Sequence, residues 1–186
     1  WLEDQLNEHK LTVNHKRDAG GERGSSIHRA FETWATTGEI PDPAVYPFSE
    51  EGYIRGLVKF LTDIKVSTRE TMLSEVRVAS KEHRFAGTLD LMLDMGVCDL
   101  LTRTTKTGKF FKYKTYPAGR WQIDGKTTKY IYTDADLQTS GYEIASVESG
   151  DDPTDYKGVV RCGAAGSYEF KEWRASGDQF QRGKGK

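Results

Sequence analysis

Between Phe85 and Asp94 the chain reads Phe-Ala-Gly-Thr-Leu-Asp-Leu-Met-Leu-Asp, an apolar run from Leu89 to Leu93 with one carboxylate, Asp90, set inside it. Such a run reads as a central strand, and an acid in a central strand is costly unless it is paired or bound to a metal. The stretch just before it, Met72 to Ser80, alternates with period two and puts Glu75, Arg77 and Ala79 on one face. Lys81 to Arg84 reads as a turn, so the two runs predict a β-hairpin. A chain with this hairpin has to build a sheet, and the fold has to supply Asp90 with a partner.

A second strand with chemistry on it is Trp121-Gln-Ile-Asp-Gly-Lys-Thr-Thr128. Side chains two apart on a strand share a face, so Asp124 and Lys126 point the same way. By itself that spacing also suits a salt bridge on a wet sheet.

The elements around these strands are legible in outline. Gly20 to Gly24 reads as a loop and Ser25 as the N-cap of a helix over 26–37, whose Ile27, Ala30, Phe31 and Trp34 recur at helical spacing. His28 and Glu32, four apart, are neighbours on that helix. Gly38 closes it, and Pro41, Pro43 and Pro47 predict an extended linker. Ser49, with Glu50 and Glu51 in the first turn, predicts the start of a second helix reaching about Val66. Val97 to Leu101 and Phe110 to Tyr116 are further strands about a turn at Lys106 to Lys109. A helix capped by Thr133 or Asp134 runs to about Val147, with Leu137, Ile144, Ala145 and Val147 inward and Gln138 and Tyr142 on one face. Tyr156 to Cys162 and Ser167 to Trp173 make a terminal hairpin across Gly163 to Gly166. The order is α–α–β–β–(β–β)–β–α–β–β, an α/β chain. Residues 1–175 are expected to form one domain, with an inserted β-hairpin at about 96–119 and a disordered tail over 176–186.

Composition removes several classes. With 36% hydrophobic and 30% charged residues the chain reads as a soluble globular protein, and no apolar run is long enough to span a membrane. It opens on Trp1 rather than Met, so a preceding segment is expected to be missing. Two cysteines, Cys98 and Cys162, exclude a four-cysteine zinc site or iron–sulfur cluster. A net charge of −1 gives no global case for nucleic acid, but the charge is partitioned. Residues 103–129 carry Arg103, Lys106, Lys109, Lys112, Lys114, Arg120, Lys126 and Lys129 against the single acid Asp124, whereas 130–156 hold no lysine or arginine.

In chain order the motifs are Gly24-Ser-Ser-Ile-His28, Glu75, Gly87-Thr-Leu-Asp90, Asp124-Gly-Lys126, and Gln138 with Tyr142. Together they resemble the PD-(D/E)XK nuclease superfamily, in particular its RecB-type branch, which includes phage-encoded exonucleases. That branch carries G-[S/T]-x-x-H on a helix, acids on three strands ending in D-x-K, and Q-x-x-x-Y on the following helix. The resemblance covers roughly residues 24–145. It implies a restriction-endonuclease-like core: a central mixed β-sheet flanked by helices, here with the inserted hairpin and a C-terminal β-hairpin.

It further implies a metal-dependent deoxyribonuclease in recombination, repair or phage DNA processing, with DNA as substrate and Mg²⁺ or Mn²⁺ as one or two ions. His28, Asp90, Asp124 and the Gly125 carbonyl would be ligands, Lys126 would face the scissile phosphate, and Glu75 would serve a second ion or its water. Gln138 and Tyr142 would orient the site or touch substrate. Ser25, Lys109, Lys112 and Lys114 are further candidate DNA contacts, the hairpin supplying charge for phosphates and Phe110 and Tyr113 for bases. A second copy of the chain or a recombination protein is the expected protein partner, in the cytoplasm of a bacterial or phage-infected cell. The alternative is an inactive nucleic-acid-binding module of the same fold, which predicts a broken ligand set. Two features depart from the branch: the long span between Asp90 and Asp124, and Gly125 where a bulkier residue is usual, expected to loosen its strand.

Overall fold

The computed structural model describes residues 21–104 and 111–173. Helix α1 occupies 21–37 and α2 Phe48–Asp63, with a short 3₁₀ turn at Pro43–Val45 between them. Strands β1 (Val66–Ser80) and β2 (Phe85–Met95) form the expected hairpin. Strands β3 (Cys98–Thr104) and β4 (Phe111–Tyr116) follow, then β5 (Gly119–Lys126), helix α3 (Asp134–Glu148), β6 (Tyr156–Gly163) and β7 (Ser167–Trp173).

Five strands make one mixed sheet in the order β1-β2-β5-β6-β7, while β3 and β4 pair only with each other. All neighbours in the large sheet are antiparallel except β5 and β6, which are parallel because α3 carries the chain back between them. One face of the sheet is apolar. Ile27 and Phe31 of α1 and Ile54, Leu57 and Phe60 of α2 pack there with Leu91, Leu93, Ile123, Val160 and Phe170. The β3–β4 ribbon joins this core through buried Cys98, Leu100 and Tyr116, so the insertion is part of the packed body rather than an extension into solvent.

Helix α3 covers the other face and packs differently. Its buried residues are Ala135, Thr139, Ser140, Gly141, Ala145 and Ser146, small or polar. Leu137 (51% exposed) and Val147 (43% exposed), expected inward, point to solvent. Polar side chains on the sheet explain this orientation: Gln122 and Lys157 are both buried and take their hydrogen-bond partners from α3.

Several expected boundaries move. Residues 21–24 are helical rather than loop, so Ser25 lies inside α1 and caps nothing; its hydroxyl donates to the Gly21 carbonyl. Helix α2 starts at Phe48 after Pro47, with no side-chain cap from Ser49, and stops at Asp63. Strand β1 begins at Val66, earlier than the alternation at Met72 suggests, and its register with β2 shifts between Val66 and Leu73. Helix α3 likewise has no side-chain cap from Thr133. The turn expected at Lys106 to Lys109, the candidate contact Lys109, Phe110 and the tail over 176–186 lie outside the described residues. No helix among the described residues is long and apolar enough to cross a membrane.

Candidate metal centre

Asp90 of β2 finds its partners from three directions. The Gly125 backbone N–H on β5 donates to Asp90 Oδ2 at 2.7 Å. His28 Nδ1, on α1, lies 3.4 Å from Asp90 Oδ1. The same nitrogen is 3.1 Å from Glu75 Oε1 on β1. Among the described residues, His28, Glu75 and Asp90 form a trio whose ligand atoms all lie within 4.8 Å of one another.

Two local features make this convergence possible. Glu75 sits between the register pairs Ser74–Leu91 and Val76–Leu89, hence across from Asp90. It adopts φ 52°, a left-handed backbone that a glutamate rarely takes and that costs on the order of 1 kcal/mol or more. The irregularity breaks strand alternation at the point where a carboxylate meets His28. The second feature is Gly125: a Cβ there would lie 2.7 Å from the Phe31 ring and 3.0 Å from Ile27. Its lack of a side chain does not loosen β5, which keeps its pairing with β6 there. It lets α1 approach the sheet and lowers His28 onto Asp90.

Asp124 and Lys126 stand alongside on β5. Lys126 Nζ donates to Asp124 Oδ1 at 2.9 Å and is in ion-pair contact with Oδ2 at 2.7 Å. It also donates to Gln138 Oε1 at 3.0 Å, and Gln138 Nε2 donates to the Tyr142 hydroxyl at 2.8 Å. The salt bridge that the spacing on this strand also allows is made, within a chain of groups running from β5 to α3. Gly87 gives Tyr142 its place, since a Cβ at that position would fall 2.2 Å from the tyrosine ring.

Electrostatics mark the site. Burial, reinforced by the neighbouring Asp124 charge, pushes the Asp90 carboxyl up to about 7, against the pull of His28, the Gly125 N–H and Lys126. Burial also raises Asp124, opposed by Lys126 and His28. Asp124 Oδ2 is buried, and its described partner is the Lys126 ammonium, 2.7 Å away. Crowded, buried carboxylates beside an imidazole form a donor set that fits a hard or borderline divalent cation. The trio that meets ligand reach includes Glu75, while Asp124 stands outside it on the next strand. At Gly125 the backbone N–H is the group that meets Asp90.

An open groove of about 530 Å³ leads to His28 and is lined by Ser25, Arg29, Glu32 and Glu75. The remaining candidates lie apart from it. Lys112 is exposed on β4, and Lys114 is committed to Glu172, 2.5 Å away, and lies over the Tyr116 ring. Lys114 and Tyr116 line a second groove of about 540 Å³ with Tyr130, Ile131, Phe170 and Lys171. Tyr130 and Tyr132, both more than half exposed, escape a reading by motif, although their place in a polar loop just after a candidate catalytic strand is a usable signal. No protein-family model and no curated protein matches the chain.

Proposed function

We propose that this chain is a Mg²⁺- or Mn²⁺-dependent DNA nuclease with a restriction-endonuclease-like core, acting as an exonuclease in recombination, repair or phage DNA processing. The observation that carries the proposal is the meeting of His28, Glu75 and Asp90 within reach of one cation, next to the Asp124–Lys126 pair. His28, Glu75 and Asp90 would hold the ion, with Asp124 beside them on the next strand for the same or a second ion. A divalent ion there supplies Lewis-acid charge stabilisation at the phosphodiester and eases deprotonation of the attacking water.

The chain's own groups do the positioning. An ammonium has three N–H donors, and Asp124 and Gln138 account for two, leaving the third for a phosphate oxygen. Held on two sides, Lys126 meets developing negative charge without having to reorganise. Tyr142 fixes Gln138, and Gln138 fixes Lys126. Tethered to an acid, Lys126 serves as a charge donor to the substrate while the carboxylates compete for protons. The exposed Phe111 and Tyr113 alternate on β4 with Lys112, a pattern that suits base stacking beside phosphate contacts.

The test is degradation of linear DNA with Mg²⁺ or Mn²⁺ by the unaltered chain, Lys126→Ala and Asp124→Asn. Each substitution is expected to lower kcat by about 10²-fold or more. Undiminished turnover in both variants would overturn the mechanism, and no turnover in the unaltered chain with either ion would overturn the assignment.

A further inference from the structure

A second set of metal-type ligands lies at the far end of α3, away from the site above. The β1–β2 turn carries Glu82 and His83, and the last residue of α3 is Glu148. The His83 imidazole side chain is only 8% exposed, and its Nε2 is 4.0 Å from Glu82 Oε1 and 4.0 Å from Glu148 Oε1. All three ligand atoms lie within 4.8 Å of one another. Bonds of about 2.0–2.2 Å to a tetrahedral ion place ligand atoms roughly 3.4 Å apart, so side-chain shifts of up to about 1 Å close the trio on an ion.

Two further observations point to a cation there. Ser80, 3% exposed, accepts from the His83 backbone N–H at 2.9 Å and donates to Glu148 Oε1 at 2.8 Å. One buried hydroxyl thus fixes the backbone of one ligand and the carboxylate of another, the role of an outer-shell residue. In addition, the last turn of α3 carries no basic residue and ends on the acid Glu148. A helix C-terminus is the negative end of its dipole, so an acid there is unfavourable and a bound cation restores the balance.

We propose that Glu82, His83 and Glu148 bind a divalent transition-metal ion of the zinc class, which clamps the β1–β2 turn to the end of α3. One imidazole and two carboxylates are a donor set that Zn²⁺ and Co²⁺ accept readily, with the fourth position left to water. The site is structural: it ties the strand that carries Glu75 to the helix that carries Gln138. It does not depend on the nuclease reading.

Co²⁺ is the probe, because its visible absorption reports coordination. Stoichiometry would be titrated in the unaltered chain, in His83→Ala and in the double variant Glu82→Gln/Glu148→Gln, whose altered side chains are at or near the surface and leave the core intact. Both variants are expected to bind one Co²⁺ fewer than the unaltered chain, and Ser80→Ala to bind at that site about tenfold more weakly. The same shortfall is expected in an Asp90→Asn background, which separates the two sites. Equal stoichiometry and equal spectra in the unaltered chain and the double variant would overturn the proposal, whatever the outcome of the DNA assay.

Discussion

Helices α1 and α3 each deliver a side chain to the same site, yet they are held to the sheet by opposite means. Helix α1 is seated by apolar packing: Ile27, Ala30 and Phe31 are fully buried, Trp34 is 2% exposed, and Gly125 leaves room for the Phe31 ring. Helix α3 is held by polar ties. Gln122 donates to the Thr139 carbonyl, and Lys157, with no exposure at all, reaches Ser140 and Glu143. Close packing fixes position by excluding alternatives, and it is indifferent to pH and salt. Buried polar ties fix position only while every partner is present, and each unmet group is costly. The candidate ligand His28 therefore rides on the insensitive helix, and Gln138 and Tyr142 ride on the sensitive one.

The sharpest way to break this contrast is to excavate the packing under α1. Phe31→Ala is expected to cost about 3–5 kcal/mol, read by urea denaturation, because its ring fills the space between α1 and Gly125. It should also abolish any rise in Tm produced by Mn²⁺, since His28 is less than one turn away. A loss below about 1 kcal/mol would mean that α1 is not seated by this contact.

The polar side should answer differently. Lys157→Met leaves the partly buried Glu143 without its cation and is expected to cost about 3 kcal/mol. The double variant Lys157→Met/Glu143→Leu removes both charges and should return to within about 1 kcal/mol of the unaltered chain. A double variant no more stable than the single one would show that the ion pair itself, and not the unpaired charge, sets the stability.

The smallest expected effect lies at the site that both helices serve. The Asp90 carboxyl is raised from an ordinary 3.8 to about 7, so between these values the metal-free folded chain keeps a proton that the unfolded chain has released. Its contribution to stability is present below about pH 4 and is lost as the pH climbs to about 7. Asp90→Asn removes that slope and should make the metal-free protein about 1–2 kcal/mol more stable at pH 8, while Mn²⁺ ceases to raise Tm. A pH–stability profile unchanged by the substitution would show that Asp90 is not the strained group.

Much of the fold was legible because its signals are local. Period-two alternation at Met72 to Ser80, the Lys81 to Arg84 turn and the apolar run to Leu93 specify the β1–β2 hairpin without help from distant residues. The facing of α3 was not legible. Its Leu137, Ile144 and Val147 suggest an apolar underside, but buried Gln122 and Lys157 turn its small polar face inward. Helix ends were misjudged for a related reason: Ser25, Ser49 and Thr133 all look like caps, and none makes a capping bond. Capping preference is worth about 1 kcal/mol, which tertiary packing readily outweighs.

By itself the sequence determined that a carboxylate would lie in a central strand, that Asp124 and Lys126 would share a face, and that a histidine would sit on a helix four residues from Glu32. These follow from residue spacing along a strand or helix, which the backbone sets locally. Only the tertiary structure decided who meets whom. Gly125 admits α1, the left-handed backbone at Glu75 turns that acid toward the imidazole, and β5 slides between β2 and β6 to bring Asp124 beside Asp90. Contacts between residues dozens of positions apart depend on volumes and approach distances that no spacing rule encodes, and here they turn on one missing Cβ.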